Sequence, residues 1–310
     1  MFNNVIVGID DDEGGRDAIA LAKLLVGDDG KLTLVQVYQG DSAVSRSGSP
    51  EYEAAQHDRI RELLEERRAE AGVDAELRWY GSASVGRGLH ELAELTGADL
   101  LVIGSSRRGL LGRVVVGGDT RAALNGAPCA VAIAPTGYCR EPAVIHEVGV
   151  GYDGSPESHA ALTLARLVAA EHHAGLSAFQ AVATPAYLYL GHLVSAAPAE
   201  AVQIPREAER ARERIAALGV EPRAAYGDPV EELTLYSASL DLLVIGSRGY
   251  GPLGRLVYGG VAQRLARTAR CPLLVLTRSA RTAADDAEAT VEQRQHVSRN
   301  LVDGAVGSHR

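Results

Sequence analysis

Short runs of branched apolar residues alternate along this chain with longer stretches in which apolar residues recur every three or four positions. Residues 3–9 and 241–246 are runs of the first kind, and residues 13–26 show the second pattern. Continuous apolar runs of this length are typical of strands covered on both faces, whereas the wider spacing predicts amphipathic helices. Because the two patterns alternate, the sequence predicts parallel sheets with helices on both faces.

The elements predicted from this pattern extend from residue 3 to residue 277. Strands are expected at 3–9, 31–38, 75–80, 99–104, 129–134, 147–152, 175–182, 222–226, 241–246 and 271–277. Helices are expected at 13–26, 51–71, 87–96, 156–170, 206–218, 229–238 and 260–269. Asp12 and Ser155 are predicted to cap the helices that follow the first strand of each half.

The second half of the sequence repeats the first. Asp99-Leu-Leu-Val-Ile-Gly-Ser recurs at residues 241–247, and Val7-Gly-Ile-Asp matches Val150-Gly-Tyr-Asp. The chain is therefore a tandem duplication, with one domain expected at 1–138, a linker at 139–146 and a second domain at 147–279. Residues 280–310 are polar without an apolar stripe, and we expect them to form a disordered tail.

Composition and charge narrow the function. The chain is 46% apolar and 23% charged, and its formal net charge of -9 argues against binding to nucleic acid or to anionic membranes. The sequence begins without the pattern of a signal peptide and contains no apolar run long enough to span a membrane. Its three cysteines lack a CxxC spacing. Together these features predict a cytoplasmic protein that contacts neither membranes nor nucleic acid.

Two glycine motifs of nucleotide-binding proteins fit this chain poorly. Neither half contains the Walker A pattern, which ends in Gly-Lys-Ser/Thr. Residues 249–254 match Gly-x-Gly-x-x-Gly, but Pro252 interrupts the match, which also lies late in its half rather than after the first strand. The sequence therefore disfavours both P-loop phosphoryl transfer and dinucleotide binding.

A third pattern, Gly-x2-Gly-x9-Gly followed by Ser or Thr, fits better. In the second half its glycines fall on Gly246, Gly249 and Gly259. Combined with Asp10 and Asp153 after the first strands, the pattern resembles the nucleotide-binding branch of the universal stress protein family. The resemblance implies two tandem flavodoxin-like domains of the adenine-nucleotide α-hydrolase type, each a five-stranded parallel sheet with helices on both faces.

The resemblance also implies ATP, possibly with magnesium, as the ligand. ATP would meet the aspartates near its adenosine half and the glycine loops at its phosphates. The cofactor-binding residues implied in this way are Gly8, Ile9, Asp10, Val37, Gly104, Arg107, Gly117, Gly118, Thr120, Gly151, Tyr152, Asp153, Ala181, Gly246, Gly249, Gly259, Gly260 and Val261. Alternatively, the aspartates are turn or cap residues, and the glycines serve only tight turns.

Three positions depart from the family pattern. Gly118 and Gly260 stand where a Ser or Thr hydroxyl is expected, and Arg107 replaces the second glycine in the first half. Losing one hydrogen bond to phosphate costs on the order of 1 kcal/mol, which weakens binding without forbidding it. Thr120, two residues past Gly118, offers a replacement hydroxyl in the first half only. Which half binds nucleotide better stays open at this point.

The expected function is that of a nucleotide-binding sensor or regulator in the stress response, not of an enzyme. The sequence has no HExxH or G-x-S-x-G motif, so no catalytic or metal-binding residues are predicted. Two alternatives are a nucleotide-free scaffold, which the missing hydroxyls favour, and a slow ATPase. The resemblance further implies that the two domains form a pseudo-dimer through residues 130–134 and 273–276, and that two chains form a homodimer.

Overall fold

The structure is a computed structural model that describes residues 1–38, 50–105, 122–141, 143–182, 203–247 and 260–276. The first copy contains β1 (Phe2–Gly8), α1 (Glu13–Leu25), β2 (Val26–Tyr38), α2 (Pro50–Ala71), β3 (Glu76–Gly81), α3 (Val85–Thr96), β4 (Leu100–Gly104) and β5 (Ala130–Ala134). The second copy contains β6 (Glu147–Gly151), α4 (Pro156–His172), β7 (Gly175–Val182), α5 (Gln203–Ala216), β8 (Glu221–Tyr226), α6 (Pro229–Tyr236), β9 (Leu242–Gly246), α7 (Gly260–Thr268) and β10 (Leu273–Leu276). Short 3₁₀ helices lie at Tyr138–Arg140 and Ser237–Ser239.

All ten strands belong to one sheet, in the order β3-β2-β1-β4-β5-β10-β9-β6-β7-β8. Neighbouring strands are parallel within each copy. The two copies join where β5 and β10 pair antiparallel, with Val131 opposite Val275 and Ile133 opposite Leu273. These are the two strands that the resemblance names as the junction. The predicted fold class, two tandem α/β domains, is confirmed.

The sheet is buried on both faces. Val5 and Val7 point into one apolar cluster with α1 and α4, and Ile6 between them points into the other. Each cluster draws residues from both copies, so the core is continuous across the junction. This explains why the central strands, such as β4, β5, β9 and β10, are continuous apolar runs that do not alternate with polar residues.

The starts of one strand and one helix differ from the predictions for identifiable reasons. β2 begins at Val26 because Val26 pairs with Phe2, and the register then shifts at an irregularity in the ladder before Asn4 pairs with Lys31. α3 begins at Val85, with the Ser84 hydroxyl accepting from the Arg87 backbone N–H at 3.4 Å. Gly86 and Gly88 hide this start in the sequence because glycine is a poor helix former.

The two predicted caps behave differently. Ser155 caps α4 as expected, since its hydroxyl accepts from the Ser158 backbone N–H at 3.2 Å. Asp12 occupies the cap position of α1 but makes no capping hydrogen bond through its side chain. Neither α1 nor any other described helix has both the length and the apolar character to cross a bilayer.

Candidate functional site

The strand order creates a crevice in each copy. From β1 the chain continues through β2 and β3 on one side, whereas β4 and β5 lie on the other. The connections that leave β1 and β4 therefore diverge, and the carboxyl ends of these two strands flank an opening. In open α/β sheets such a point is where ligands bind. The equivalent point in the second copy lies between β6 and β9.

In the first copy this opening is a cavity of about 230 Å³. Five of the residues implied by the resemblance line it together: Gly8, Ile9, Asp10, Val37 and Gly104. The remaining lining residues, which sequence reasoning missed, are Asp11, Val35, Gln36, Val85, Leu89, Ile103 and Ala123. A neighbouring cavity of about 400 Å³ shares Asp11 and Gln36 with it. The two spaces together fall in the size range of small-molecule sites.

Asp10 follows β1 and places a carboxylate at the wall of the first crevice. Its Oδ1 accepts a hydrogen bond from the Asp12 backbone N–H at 3.2 Å. Burial raises the pKa of the Asp10 carboxyl, opposed by this backbone hydrogen bond and reinforced by the nearby charge of Asp12. A carboxylate at a cavity wall is a strong hydrogen-bond acceptor for a ligand that brings its own donors.

Gln36 lines both this cavity and the neighbouring one. Its side-chain oxygen, Oε1, is buried and has no hydrogen-bond partner among the described residues. A buried amide oxygen without a partner costs free energy, and a ligand N–H donor would recover it. The residue was detectable in principle, because Gln36 interrupts the apolar run of β2 and Gln180 does the same in β7.

The glycines that end β4 and β9 have a packing role. A Cβ added to Gly104 would lie 2.1 Å from the Gly14 carbonyl oxygen, and one added to Gly246 would lie 2.4 Å from that of Glu157. The helix that follows the first strand of each copy thus packs directly onto these positions. This packing alone accounts for glycine at both sites, and Gly104 also lines the cavity.

The second copy places Gly151, Tyr152, Asp153, Ala181 and Gly246 at the corresponding strand ends. Asp153 Oδ1 accepts from the Ser155 backbone N–H at 3.0 Å, which matches the turn that Asp10 makes. Tyr152, which stands in place of Ile9, is buried and its hydroxyl is 2.9 Å from His159 Nε2. Burial raises the pKa of the Tyr152 phenol.

Two further side chains distinguish the second crevice. Phe179 pairs with Gly151 as Val35 pairs with Gly8, so phenylalanine occupies the position of a cavity-lining valine. Its ring stacks on Tyr236 with centroids 4.9 Å apart. Gln180, the counterpart of Gln36, accepts a hydrogen bond from Arg214 Nη2 at 3.2 Å. The second copy thus pairs its glutamine with an arginine of its own, whereas the Gln36 oxygen of the first copy has no described partner.

Several implied residues cannot be placed. Arg107, Gly117, Gly118, Thr120, Gly249 and Gly259 lie outside the described residues. Gly260 begins α7, and Val261 beside it is partly exposed. The part of the chain that the structure describes contains no cluster of three or more side chains suited to a metal ion.

The topology defines a tandem α/β protein with a crevice at the switch point of each half of its sheet. The model of the universal stress protein family matches residues 1–135 and 145–277. The chain belongs to the universal stress protein family, and the resemblance seen in its sequence is confirmed.

Individual relatives agree with this assignment. A universal stress protein of Mycobacterium tuberculosis strain H37Rv is 30% identical over 185 residues, covering 59% of this chain and 63% of its own length. The chain thus spans about 63% of this relative. Universal stress protein YxiE of Bacillus subtilis is 28% identical over 144 residues, covering 41% of this chain and 95% of its own.

Two solved structures share the fold. A universal stress protein from Archaeoglobus fulgidus has a TM-score of 0.62 at 17% identity, covering 89% of this chain and 98% of its own. A putative universal stress protein from Pseudomonas aeruginosa has a TM-score of 0.61 at 18% identity, covering 93% and 98%. At these identities the likeness concerns the fold alone.

Proposed function

We propose that the first copy binds an adenine nucleotide in the crevice between β1 and β4, and that the protein acts as a nucleotide-dependent sensor or regulator. The observation that carries this proposal is that Asp10, Gln36 and apolar side chains line one cavity at the switch point of the sheet, and that the Gln36 side-chain oxygen has no described partner. A nucleoside offers complementary chemistry: ribose hydroxyls and an exocyclic amine as donors, and a flat apolar base.

Each part of the nucleotide has a counterpart in the cavity. Val37, Leu89 and Ile103 provide apolar surface for the base. In this proposal the Gln36 side-chain oxygen would accept from the exocyclic amine of adenine, which guanine lacks at that position. Asp10 would accept from ribose hydroxyls. The phosphates, with or without magnesium, would then extend toward the glycine loop that follows β4, outside the described residues.

The second copy has a supporting role in this proposal. Tyr152 and Phe179 stand where the first copy has smaller side chains, and Gln180 is engaged by Arg214. We therefore propose that the second copy binds no nucleotide, so that the nucleotide-free alternative applies to this copy alone. The antiparallel pairing of β5 with β10 gives this copy a rigid connection through which a change at the first crevice can be transmitted.

The remaining proposals concern assembly, location and turnover. We propose a cytoplasmic homodimer, which light scattering across micromolar concentrations would contradict by giving a monomeric mass. We propose binding without turnover. Phosphate release that exceeds the rate of an Asp10→Ala variant would instead identify a slow ATPase.

The decisive experiment is to denature freshly purified protein and to identify any released nucleotide by chromatography and mass. We expect adenine nucleotide near one per chain. A value near two would contradict the assignment to the first copy. If no nucleotide is released, titration with ATP, ADP, AMP and cyclic AMP, each with and without magnesium, must produce binding heat. Its absence for all four would refute nucleotide binding and leave the scaffold reading.

A further inference from the structure

A separate cavity of about 420 Å³ lies between α1, α2 and the segment that joins the two copies. Its apolar walls include Ile19, Ala20 and Leu24 of α1, and Ala71 and Ala143 on the other sides. None of the residues around it lines the nucleotide crevice. Its volume is in the range of sites that enclose a small organic molecule.

The joining segment forms a fixed wall of this cavity. The buried Asp17 carboxylate accepts hydrogen bonds from the backbone N–H groups of Gly137 and Cys139, each at 2.8 Å. Arg140 donates to Glu13 at 2.9 Å. The second copy has Ala160 at the position of Asp17, so it lacks this means of holding a segment against its first helix.

Arg67 lines the cavity with a guanidinium whose Nε–H donor has no acceptor among the described residues. The residue is 5% exposed, and its Nη1 donates to Glu70 Oε2 at 3.0 Å, with Glu66 Oε2 at 3.4 Å. Its Nε is buried without an acceptor among the described residues. The Nε–Nη2 edge of a guanidinium is the edge that holds a carboxylate through two parallel hydrogen bonds.

The other charged residues that line the cavity are compatible with a bound anion. Glu70 is engaged by Arg16, whose Nε and Nη2 donate to it at 2.8 and 2.9 Å, so its charge is already countered. Lys23 donates to the Ala71 carbonyl oxygen at 3.0 Å and has further N–H donors. Glu141 is the other carboxylate of the lining, and it lies on the exposed joining segment.

We propose that this cavity binds a small organic carboxylate with an apolar body. Arg67 and Lys23 hold the carboxylate group, while Ile19, Ala20 and Leu24 cover the apolar part. Because the joining segment closes the cavity, the ligand would contact both the first copy and the connection to the second. The site is independent of the proposed nucleotide site.

Calorimetric titration with octanoate tests the proposal, with octanamide as a neutral analogue of equal size. We expect octanoate to bind, and octanamide to bind about tenfold more weakly or not at all, because it cannot form the charged hydrogen bonds. Ala20→Trp fills the cavity and should abolish binding. The matched control is Thr163→Trp, at the equivalent position of α4, which should bind octanoate as the parent protein does.

Alkylation of Cys139 gives a second, site-specific measurement. Cys139 lines the cavity and is partly exposed, whereas Cys129 and Cys271 are buried. Burial raises the pKa of the Cys139 thiol to about 11, so the reaction is run at mildly alkaline pH. Octanoate at about ten times its Kd should slow alkylation about tenfold by mass action.

A milder variant keeps the test valid if Ala20→Trp fails to fold. Lys23→Gln should weaken octanoate binding by about two- to fivefold, because an exposed ion pair contributes little, while Lys31→Gln should leave it unchanged. Equal binding of octanoate and octanamide would overturn the proposal, as would no heat together with unchanged alkylation of Cys139. Full binding by a folded Ala20→Trp variant would place octanoate elsewhere and also overturn it.

Discussion

The two crevices differ at three equivalent positions. The first copy has Ile9, Val35 and Gln36, whose side-chain oxygen has no described partner. The second copy has Tyr152, Phe179 and Gln180, whose oxygen accepts a hydrogen bond from Arg214. Both copies keep the glycine and the aspartate that follow their first strand. The shared residues therefore reflect the fold, since each aspartate closes the same turn and each strand-ending glycine admits the same helix. We propose that the residues that differ decide which crevice admits a ligand.

The largest expected effect comes from giving the first crevice the side chain of the second. Val35→Phe should lower nucleotide affinity at least about a hundredfold, because the larger ring takes the place of the base. We expect a folded protein, at an overpacking cost of about 1–3 kcal/mol. Calorimetric titration and the unfolding midpoint measure the two effects. Phe179→Val is the control: it should lower stability by about 2 kcal/mol and leave affinity unchanged.

The two aspartates allow a direct comparison between copies. Asp10→Ala should weaken nucleotide binding by about 10- to 100-fold, because a hydrogen bond to a charged group is worth about 1.5–3 kcal/mol. Asp153→Ala removes the same turn from the second copy and should leave binding unchanged. Titration of both variants checks this. An equal loss in both would show that the two copies contribute equally.

Gln36→Leu should change nucleotide affinity and protein stability in opposite directions. Removing an unpartnered buried oxygen should raise the stability of the nucleotide-free protein by about 1 kcal/mol, while losing the ligand contact should weaken binding about fivefold. Gln180→Leu should instead lower stability slightly, because Arg214 loses its acceptor, and should not change affinity. Denaturant unfolding and titration give the two quantities. A Gln36→Leu variant that is less stable would mean that the oxygen has a partner.

The smallest expected effect is on pH dependence. Binding through Asp10 requires the ionised carboxylate, and burial raises the pKa of this group. Affinity should therefore fall as the pH drops through that raised pKa, at a higher pH than for an ordinary aspartate, by at most about tenfold per pH unit. The stability of the nucleotide-free protein should change in the opposite direction. Because burial disfavours the ionised Asp10 carboxylate, protonation of this group at lower pH should raise the free energy of unfolding. Asp10→Asn should bind more weakly and lose this part of the pH dependence.

Some of the candidate site could be predicted from the sequence and some could not. Gly8, Ile9, Asp10 and Gly104 were predictable because they end strands whose carboxyl edges must meet in a parallel sheet. Gln36 and Gln180 look alike in sequence, and no local rule separates them. They differ because Arg214 on α5 reaches Gln180, whereas no described residue of the first copy reaches the Gln36 oxygen. That difference depends on how distant helices pack.

The amino-acid sequence by itself determined the duplication, the identity of most strands and helices, and the α/β class, because apolar periodicity is a local property of the chain. The order of strands within each copy and the direction in which β5 meets β10 were decided by tertiary structure, because the same apolar runs can pair in several ways. The cavity beside the joining segment arises likewise, from Asp17 binding a backbone more than a hundred residues away. Only folding brings such residues together, and it is their contacts that distinguish one copy from the other.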